Sequence, residues 1–245
     1  MKAIILAAGK GTRLAPLTND LPKPMVDIAG KPLLLRTIDR LAAAGIMGAD
    51  VIVVTGYRQE SIRARLDAIG LGTCRTVFNP RWEDWNNNYS LLVAREAAGG
   101  DAILQIDGDV LFDGAVIPRM LAAPGPACLS IDVREELDPE TMKVEADSEG
   151  RISAISKKLD PARSAGEYIG LTRLDAPAAG LVFDELARFP ALNLTHEYYE
   201  HAYHRLAGRG ACTFRVVNIH DCVTTEIDDL ADLRRAEELV RCQNV

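Results

Sequence analysis

Strand and helix patterns alternate through the first half of the chain. Short apolar or β-branched runs, which are typical of buried strands, occur at 2–7, 51–55, 75–78, 102–106 and 127–131. Segments with helical periodicity lie between them, at 32–44, 61–68, 90–98 and 114–123. Alternation of this kind predicts an α/β fold with a mixed, mainly parallel sheet and helices on both of its faces.

The second half has a different pattern. Residues 142–146 and 151–155 flank a polar turn and predict a β-hairpin. Further strands are predicted at 169–174 and 212–217, and helices at 177–189, 196–207 and 228–240. Because no linker or low-complexity stretch divides the chain, we expect a single domain over 1–245. It would comprise a core at 1–135, a small covering lobe at 136–225 and a closing helix at 226–245.

Composition narrows the classes of function. The net charge of −7 argues against nonspecific binding of nucleic acid. In the first 31 residues, however, five Lys or Arg outnumber two Asp, which indicates either an anionic small ligand or a solvated charged face. None of the five cysteines forms a CxxC pair, as expected for reduced thiols in a cytoplasmic protein. No apolar stretch approaches the ~20 residues that cross a bilayer, so membrane insertion is not expected.

A glycine-rich loop follows the first predicted strand. Gly9 and Gly11 permit a positive φ, so that successive N–H groups can converge on an anion. Lys10 and Arg13 add positive charge, and Lys23 lies between two prolines that restrict its backbone. The loop has neither the dinucleotide-binding GxGxxG pattern nor a Walker A pattern. The glycines alone are also compatible with an ordinary turn that carries surface cations.

The whole string is more specific than its glycines. The sequence LAAGKGTRL at 6–14, followed by PKP at 22–24, resembles the nucleotidyltransferase superfamily of NDP-sugar pyrophosphorylases and related enzymes. This resemblance implies a Rossmann-like fold in which the glycine loop cradles the phosphates of an incoming nucleoside triphosphate. Arg13 and Lys23 match the two catalytic cations of that family. The other residues of this segment implied to bind the nucleotide are Leu6, Ala7, Ala8, Gly9, Lys10, Gly11 and Thr12.

A pair of carboxylates follows the strand predicted at 102–106. Asp107 and Asp109 are separated by one glycine, and ligands in parallel sheets bind beyond the carboxyl ends of the strands. Carboxylate oxygens suit Mg²⁺, although Asp-Gly is also common in simple polar turns. The resemblance implies that Asp107 binds the nucleotide through Mg²⁺, and we include Asp109 among the candidate ligands. The resemblance also implies a further Mg²⁺ ligand from late in the chain. Asp228 matches this ligand best, and Glu226 stays open as the alternative. Asp228 could instead be only a helix N-cap.

Both tryptophans of the chain lie in the segment 79–91, beside three consecutive asparagines. Asparagine can read the edge of a base, and aromatic rings can stack on a base or enclose a quaternary ammonium group. A polar loop with two core tryptophans is the alternative. The run resembles the phosphocholine cytidylyltransferase branch of the superfamily and favours CTP. On this reading Trp85 contacts the acceptor, and the nucleotide is bound by Asn79, Asn87, Asn88 and Ser90.

Candidate acceptor contacts lie in the second half. The resemblance implies that Lys157 neutralises the acceptor phosphate and that the strand containing Glu167 and Tyr168 lines the acceptor pocket. Such an acidic and aromatic pair would suit a cationic acceptor, with Lys143 and Tyr198 as further contacts. The alternatives are solvated lysines at strand ends and an ordinary helix face at 196–200.

These observations favour a cytidylyltransferase. We expect Mg²⁺-dependent transfer of CMP from CTP to a small phosphorylated or phosphonylated head group, of the phosphocholine or 2-aminoethylphosphonate type, with release of pyrophosphate. The rivals are a sugar-1-phosphate uridylyl- or thymidylyltransferase, a glycosyltransferase that uses Asp107-Gly108-Asp109 as a DxD motif, and a non-catalytic nucleotide sensor. The sequence leaves the identity of the acceptor and the formation of a homodimer open.

Overall fold

The computed structural model describes residues 1–133 and 137–243. The strands are β1 (Lys2–Ala7), β2 (Asp27–Ile28), β3 (Lys31–Pro32), β4 (Val51–Thr55), β5 (Arg75–Phe78), β6 (Ile103–Asp107), β7 (Val110–Phe112), β8 (Ala127–Asp132), β9 (Lys143–Ala146), β10 (Ile152–Ser156), β11 (Gly166–Leu174), β12 (Phe214–Asn218) and β13 (Thr224–Glu226). The helices are α1 (Leu33–Ala43), α2 (Gln59–Ala68), α3 (Asn88–Val93), α4 (Arg95–Ala98), α5 (Val116–Ala122), α6 (Ala176–Ala187), α7 (Glu200–Gly208) and α8 (Leu230–Gln243).

One nine-stranded sheet organises the chain, in the order β10-β9-β11-β6-β1-β4-β5, with β8 paired to β11 and β12. Strands β6, β1, β4 and β5 run parallel to one another, whereas β11 is antiparallel to β6. The second half of the sequence therefore extends the same sheet rather than building another. The expected mixed α/β fold is confirmed.

The core lies on both faces of this sheet. Ile4 and Val54 pack with α3, α6 and α7 on one face, and Ile5 and Val53 pack with α1, α2 and α5 on the other. All four side chains are fully buried. Strands covered on both sides have no polar face, which is why β1 and β4 appear in the sequence as uninterrupted apolar runs.

The chain differs from the predicted elements in a few places. The helix expected at 90–98 is two short helices, α3 and α4, and the helix expected at 196–207 begins only at Glu200 because a turn precedes it. The short strands β7 and β13 were not predicted; they pair antiparallel and bring the end of the chain beside β6. The predicted boundary between core and lobe, at residues 135 and 136, lies outside the described residues.

Three chain segments meet at one edge of the sheet. Leu6 of β1 is in register with Asp107 of β6, so the glycine loop and the Asp107-Gly108-Asp109 turn leave the sheet side by side. Leu171 of β11 pairs with Ile106, which places Gly170 beside Asp107. This edge is where the candidate site lies. Among the described residues, no helix combines the length and the apolar composition that crossing a bilayer demands.

Candidate active site

A buried lysine connects the distant parts of the site. Lys23 Nζ donates hydrogen bonds to Asp109 Oδ2 at 2.8 Å and to Asp228 Oδ1 at 2.6 Å, and its side chain is 12% exposed. Arg13 Nη2 lies 2.8 Å from the other oxygen of Asp228, Oδ2. The expected cations and two of the expected carboxylates are therefore brought together in one cluster.

Gly11 makes this arrangement possible. Its φ is +71°, and a Cβ at this position would lie 2.7 Å from Lys23 Cβ. Any other residue would be strained and would push the lysine stem aside. The carbonyl of Gly11 is bonded by the Thr18 hydroxyl at 2.7 Å, which holds the loop against the lysine.

The charges of this cluster stabilise one another. Burial on its own would lower the pKa of Lys23, but the carboxylates of Asp109 and Asp228 override it and raise that pKa above its ordinary value. Burial on its own would raise the pKa of Asp228, but Lys23 and Arg13 hold it below the ordinary value. Lys23 and Asp228 are therefore both charged at neutral pH.

Asp107 is held by a buried polar network. Tyr199 Oη donates to Asp107 Oδ2 at 2.8 Å, and Gln105 Nε2 donates to Oδ1 at 2.9 Å. Tyr168 Oη donates to Gln105 Oε1 at 3.0 Å and lies 3.1 Å from Tyr199 Oη. The carboxylate is thereby oriented from behind, while Gly170 opposite it leaves no room for a Cβ, which would lie 2.8 Å from Oδ2.

Among the described residues, the groups that act most strongly on Asp107 include no cation. Burial raises the pKa of Asp107 well above its ordinary value, and the nearby carboxylates of Glu200 and Asp109 raise it further. Burial likewise raises the pKa of Glu226, and the carboxylates of Asp109 and Glu167 raise it further. A positively charged ligand at this position would stabilise the ionised form of both groups.

One recess opens beside the glycine loop, and we call it the tryptophan recess. Its lining residues are Leu6, Ala8, Gly9, Asn79, Trp82, Trp85, Asn86, Asn87, Ser90, Asp107, Gly108 and Asp109. Most of the residues predicted to bind a nucleotide are therefore on one surface. Asn79 Nδ2 donates to Ser90 Oγ at 2.9 Å, and Asn87 Oδ1 accepts from the Tyr199 amide at 2.9 Å, so these amides also hold the wall together.

A second recess lies on the other side of Asp107, and we call it the acidic recess. Its lining residues are Arg13, Asn87, Asp107, Asp109, Glu140, Met142, Lys157, Glu167, Tyr168, Gly170, Tyr198, Glu200, Glu226 and Asp228. The two recesses share Asn87, Asp107 and Asp109. A molecule in each would therefore meet its neighbour at the carboxylates.

Lys157 lies at the wall of the acidic recess. Its Nζ is 3.3 Å from Glu140 Oε2 and 5.3 Å from the centre of the Tyr198 ring. Glu167, Tyr168 and Tyr198 line the same recess, as predicted for acceptor contacts. This ammonium group is placed to meet an anion that enters the recess.

Other predicted site residues are not brought to the recesses as expected. Lys143 is 1% exposed, and its ammonium donates to the carbonyls of Thr141 and Lys157, so it supports the wall from behind instead of contacting an acceptor. Asn88 is 2% exposed and donates to the carbonyls of Thr195 and Glu197, which connects α3 to the segment before α7 instead of reading a base.

Trp85 and three residues of the glycine loop are the remaining predicted site residues. Trp85 lines the tryptophan recess and not the acidic recess, because the 79–87 segment lies on the glycine-loop side of Asp107. Ala7 is fully buried, Thr12 is exposed in a short turn, and Lys10 Nζ lies 5.4 Å from the centre of the Tyr57 ring. The backbone of the loop, more than these side chains, faces the site.

Sequence reasoning did not single out several residues of the site. Tyr199 and Gln105 orient Asp107 from the interior, and Trp82, Glu140 and Glu200 line the recesses. The sequence carried two signals: Trp82 lies in the tryptophan- and asparagine-rich segment 79–91, and the run at 196–200 could border the acceptor pocket but is more typical of an ordinary helix face. Burial of its two last residues depends on packing against β6 and β11, which a local pattern does not contain.

Known proteins with similar sequences or structures indicate the family of this chain. The nucleotidyl transferase family model matches residues 2–122. CMP-5'-(3-aminopropyl)phosphonate synthase from Streptomyces rubellomurinus is 31% identical over 97% of this chain and 38% of its own length. Choline-phosphate cytidylyltransferase from Streptococcus pneumoniae is 40% identical over 44% of each chain. The solved structure of CTP:phosphocholine cytidylyltransferase from Streptococcus pneumoniae has a TM-score of 0.78 and 27% identity, with 98% of both chains covered.

The two curated relatives are matched over less than half of their own lengths, 38% and 44%. The solved structure is matched over nearly its whole chain, which extends the likeness to the second half. The stretch at 2–122 contains the glycine loop, Lys23, the tryptophan recess and the Asp107-Gly108-Asp109 turn. By this stretch and by its fold, the chain belongs to the nucleotidyl transferase family.

Proposed function

We propose that this protein transfers CMP from CTP to a small phosphorylated or phosphonylated acceptor and releases pyrophosphate. The observation that carries the proposal is the meeting of two recesses at Asp107 and Asp109, one lined by tryptophan and asparagine and the other by acidic side chains. The relatives named for a CMP-phosphonate and for phosphocholine support both halves of the reaction.

The tryptophan recess is assigned to CTP. The amide side chain of Asn87 and the backbone at Ala8 and Gly9 present hydrogen-bonding groups to the base and sugar, and the tryptophans offer apolar faces. The phosphates then extend along the glycine loop towards Arg13 and Lys23. Both cations are held by Asp228 before substrate binds, so their position does not depend on the ligand.

The reaction itself is a displacement at phosphorus. An acceptor oxygen attacks the α-phosphorus, a new phosphorus–oxygen bond forms, and the bond to the bridging oxygen of pyrophosphate breaks. Lys23 stabilises the charge that develops at the α-phosphorus, Arg13 stabilises the pyrophosphate, and Lys157 steadies the acceptor anion. The attacking phosphate or phosphonate oxygen is already ionised, so no protein nucleophile is needed.

The carboxylates of the site fit Mg²⁺. Among the described residues, no three His, Cys, Asp or Glu side chains form a ready metal cage. Mg²⁺ usually takes one or two protein carboxylates and completes its shell with water and phosphate oxygens, so a full cage is not required. Asp107 and Asp228 are the residues proposed to hold it, with Asp109 beside them, because a cation would offset the carboxylates of Glu200 and Asp109 that act on Asp107. When bound, the ion would neutralise charge on the triphosphate.

Acidic lining distinguishes the acceptor class. Glu140, Glu167 and Glu200 line a recess in which Arg13 and Lys157 are the cations offered to a phosphate. A neutral sugar would leave Oε2 of Glu200, which has no hydrogen-bond partner among the described residues, without a partner, whereas a head group that carries both an anion and a cation would satisfy both signs. This favours an amino- or ammonium-bearing acceptor over a sugar 1-phosphate.

Pyrophosphate release tests the proposal. Four nucleoside triphosphates would each be combined with phosphocholine, 2-aminoethylphosphonate, glycerol phosphate and glucose 1-phosphate in the presence of Mg²⁺. We expect release only with CTP and a nitrogen-bearing acceptor. Release with UTP or dTTP and glucose 1-phosphate would establish the sugar-nucleotide rival. Consumption of a nucleotide sugar without pyrophosphate release from any pair would establish the glycosyltransferase.

A further inference from the structure

One carboxylate oxygen of Glu200, Oε2, is buried and has no hydrogen-bond partner among the described residues. The residue begins α7, is 5% exposed, and lines the acidic recess. A buried carboxylate oxygen without a partner is costly, so such an atom facing a recess indicates a missing ligand.

Neighbouring cations do not supply the partner. Burial raises the pKa of Glu200, while its own backbone N–H and then the charge of Lys157 oppose that rise. Lys157, however, directs its ammonium towards Glu140 and the Tyr198 ring. The carboxyl groups of Asp109 and Asp107 also act on Glu200, and they make the position more favourable for a cation.

The recess is not built to enclose a quaternary ammonium group. Such a group has no N–H and is recognised by aromatic faces around it. Tyr168 and Tyr198 are the aromatic residues that line the acidic recess, and the Tyr168 hydroxyl is engaged by Gln105 and Thr172. The Tyr198 ring is already approached by the Lys157 ammonium, and both tryptophans lie in the other recess.

We propose that Glu200 Oε2 accepts a hydrogen bond from a primary ammonium group of the acceptor, so that the enzyme selects primary aminoalkyl phosphonates or phosphates over their N-trimethyl analogues. This inference rests on the proposed cytidylyl transfer and narrows its acceptor. The phosphonate or phosphate end lies at Lys157 and the carboxylates of the reaction centre, and the ammonium end lies at Glu200.

Matched acceptors test the selectivity without any change to the protein. Pyrophosphate release from CTP would be measured with 2-aminoethylphosphonate, with its N-trimethyl derivative and with n-propylphosphonate, in which a methyl group replaces the ammonium. We expect kcat/KM for the primary amine to exceed both others by about 100-fold, as for a desolvated charge-assisted hydrogen bond. Phosphoethanolamine, measured beside them, shows whether the phosphonate or the phosphate ester is preferred. Equal use of the primary and trimethylated compounds would overturn the inference.

A variant assigns the selectivity to this residue. Glu200→Gln should lower kcat/KM for 2-aminoethylphosphonate by about 100-fold while leaving the value for n-propylphosphonate and the affinity for CTP unchanged. Glu238→Gln is the control, because Glu238 is exposed on α8 and lines neither recess. An equal loss for both phosphonates would show that Glu200 is only structural and contradict the inference.

The two levels of proposal fail differently. If wild-type protein releases pyrophosphate from CTP with the trimethylated acceptor as readily as with the primary amine, the cytidylyl transfer stands and the role of Glu200 falls. If CTP releases no pyrophosphate with any of these acceptors, the proposed function itself is wrong and the inference falls with it.

Discussion

Lys23 Nζ lies 2.6 Å from Asp228 Oδ1, although 205 positions separate the two residues in the chain. The same ammonium group bonds Asp109 at 2.8 Å, so a single lysine joins the loop after β1, the turn after β6 and the segment before α8. Its orientation is established by protein carboxylates alone. This is preorganisation of the kind that stabilises a transition state more than a ground state.

Lys23→Ala should therefore lower kcat far more than it weakens CTP binding. Removal of one preorganised stabilising group typically costs about 10²- to 10³-fold in kcat, and we expect a loss in this range. Pyrophosphate release gives kcat, and titration with CTP gives the affinity. Lys31→Ala is the control, because Lys31 forms its ion pair with Asp39 at the surface. Unchanged turnover in the Lys23 variant would remove the lysine from the reaction centre.

Tyr199→Phe should weaken the affinity of the site for Mg²⁺ without unfolding the protein. The change deletes the 2.8 Å hydrogen bond to Asp107 Oδ2 and keeps the ring in its buried place. Loss of a group that orients a ligand usually reduces metal affinity by about 10- to 100-fold, so half-maximal activity should require correspondingly more Mg²⁺. Tyr203→Phe is the comparison, because that hydroxyl donates to Gln105 Oε1, at 3.5 Å, rather than to Asp107. A Mg²⁺ titration in which both variants behave alike would separate Tyr199 from the metal site.

Trp85→Ala should raise KM for CTP and leave KM for the acceptor unchanged. The side chain lines the tryptophan recess with Asn86 and Asn87 and does not reach the acidic recess. Loss of a base–aromatic contact is worth ~1–3 kcal/mol, which corresponds to a rise of about 5-fold or more. Initial rates with each substrate varied in turn give the two constants. A rise confined to the acceptor would restore the acceptor role expected from the sequence.

Glu185→Gln should destabilise the protein by about 2 kcal/mol at neutral pH, because it breaks ion pairs of a buried carboxylate whose arginine partners are partly exposed. Glu185 of α6 is 1% exposed and lies 2.5 Å from Arg205 and 2.7 Å from Arg209, which tie it to α7. Chemical denaturation gives the free energy of unfolding. Asp184→Asn, which removes an exposed pair with Arg95, should have almost no effect.

The ion pairs of Glu185 with Arg205 and Arg209 also predict that the stability of the protein depends on pH. Burial tends to raise the pKa of Glu185, but Arg209 and Arg205 override it and hold the pKa below its ordinary value of 4.5. A lowered carboxylate pKa stabilises the fold fully above the unfolded-state pKa, and this contribution is lost as pH falls through the folded-state pKa. The stability difference between wild type and Glu185→Gln should therefore be constant near neutrality and shrink below about pH 4.5. A difference that does not change with acidity would contradict the assignment.

The fold could be predicted further than the site because its signal is local. The strands at 2–7, 51–55 and 75–78 have the predicted bounds, since buried strands and their ends are visible in apolar runs. The three-residue strands β7 and β13 are too short to show a period, and only their pairing defines them. These two strands carry Glu226 to the reaction centre, a residue that the sequence offered only as an open alternative to Asp228.

Site residues that stand in local motifs could be predicted from the sequence, whereas those whose role depends on tertiary contacts could not. Arg13, Lys23 and Asp107 stand in ordered motifs, and the structure brings them to one edge of the sheet. Lys143 and Glu200 depend on tertiary burial, which gives a lysine two carbonyl partners and leaves a glutamate oxygen with none. Residue type predicted the opposite for both, a ligand contact for the lysine and an ordinary helix face for the glutamate.

Tyr199 and Glu200 are consecutive residues with different roles. The Tyr199 hydroxyl orients Asp107, and the Glu200 carboxylate lines the acidic recess. Redesign of the enzyme for other acceptors is constrained by this adjacency. A bulkier residue at 200 would shift the start of α7 and disturb the alignment of Asp107 as well. Glu140 and Tyr198, which are more exposed and are not bonded to Asp107, are the positions where acceptor range can diverge at least cost to turnover.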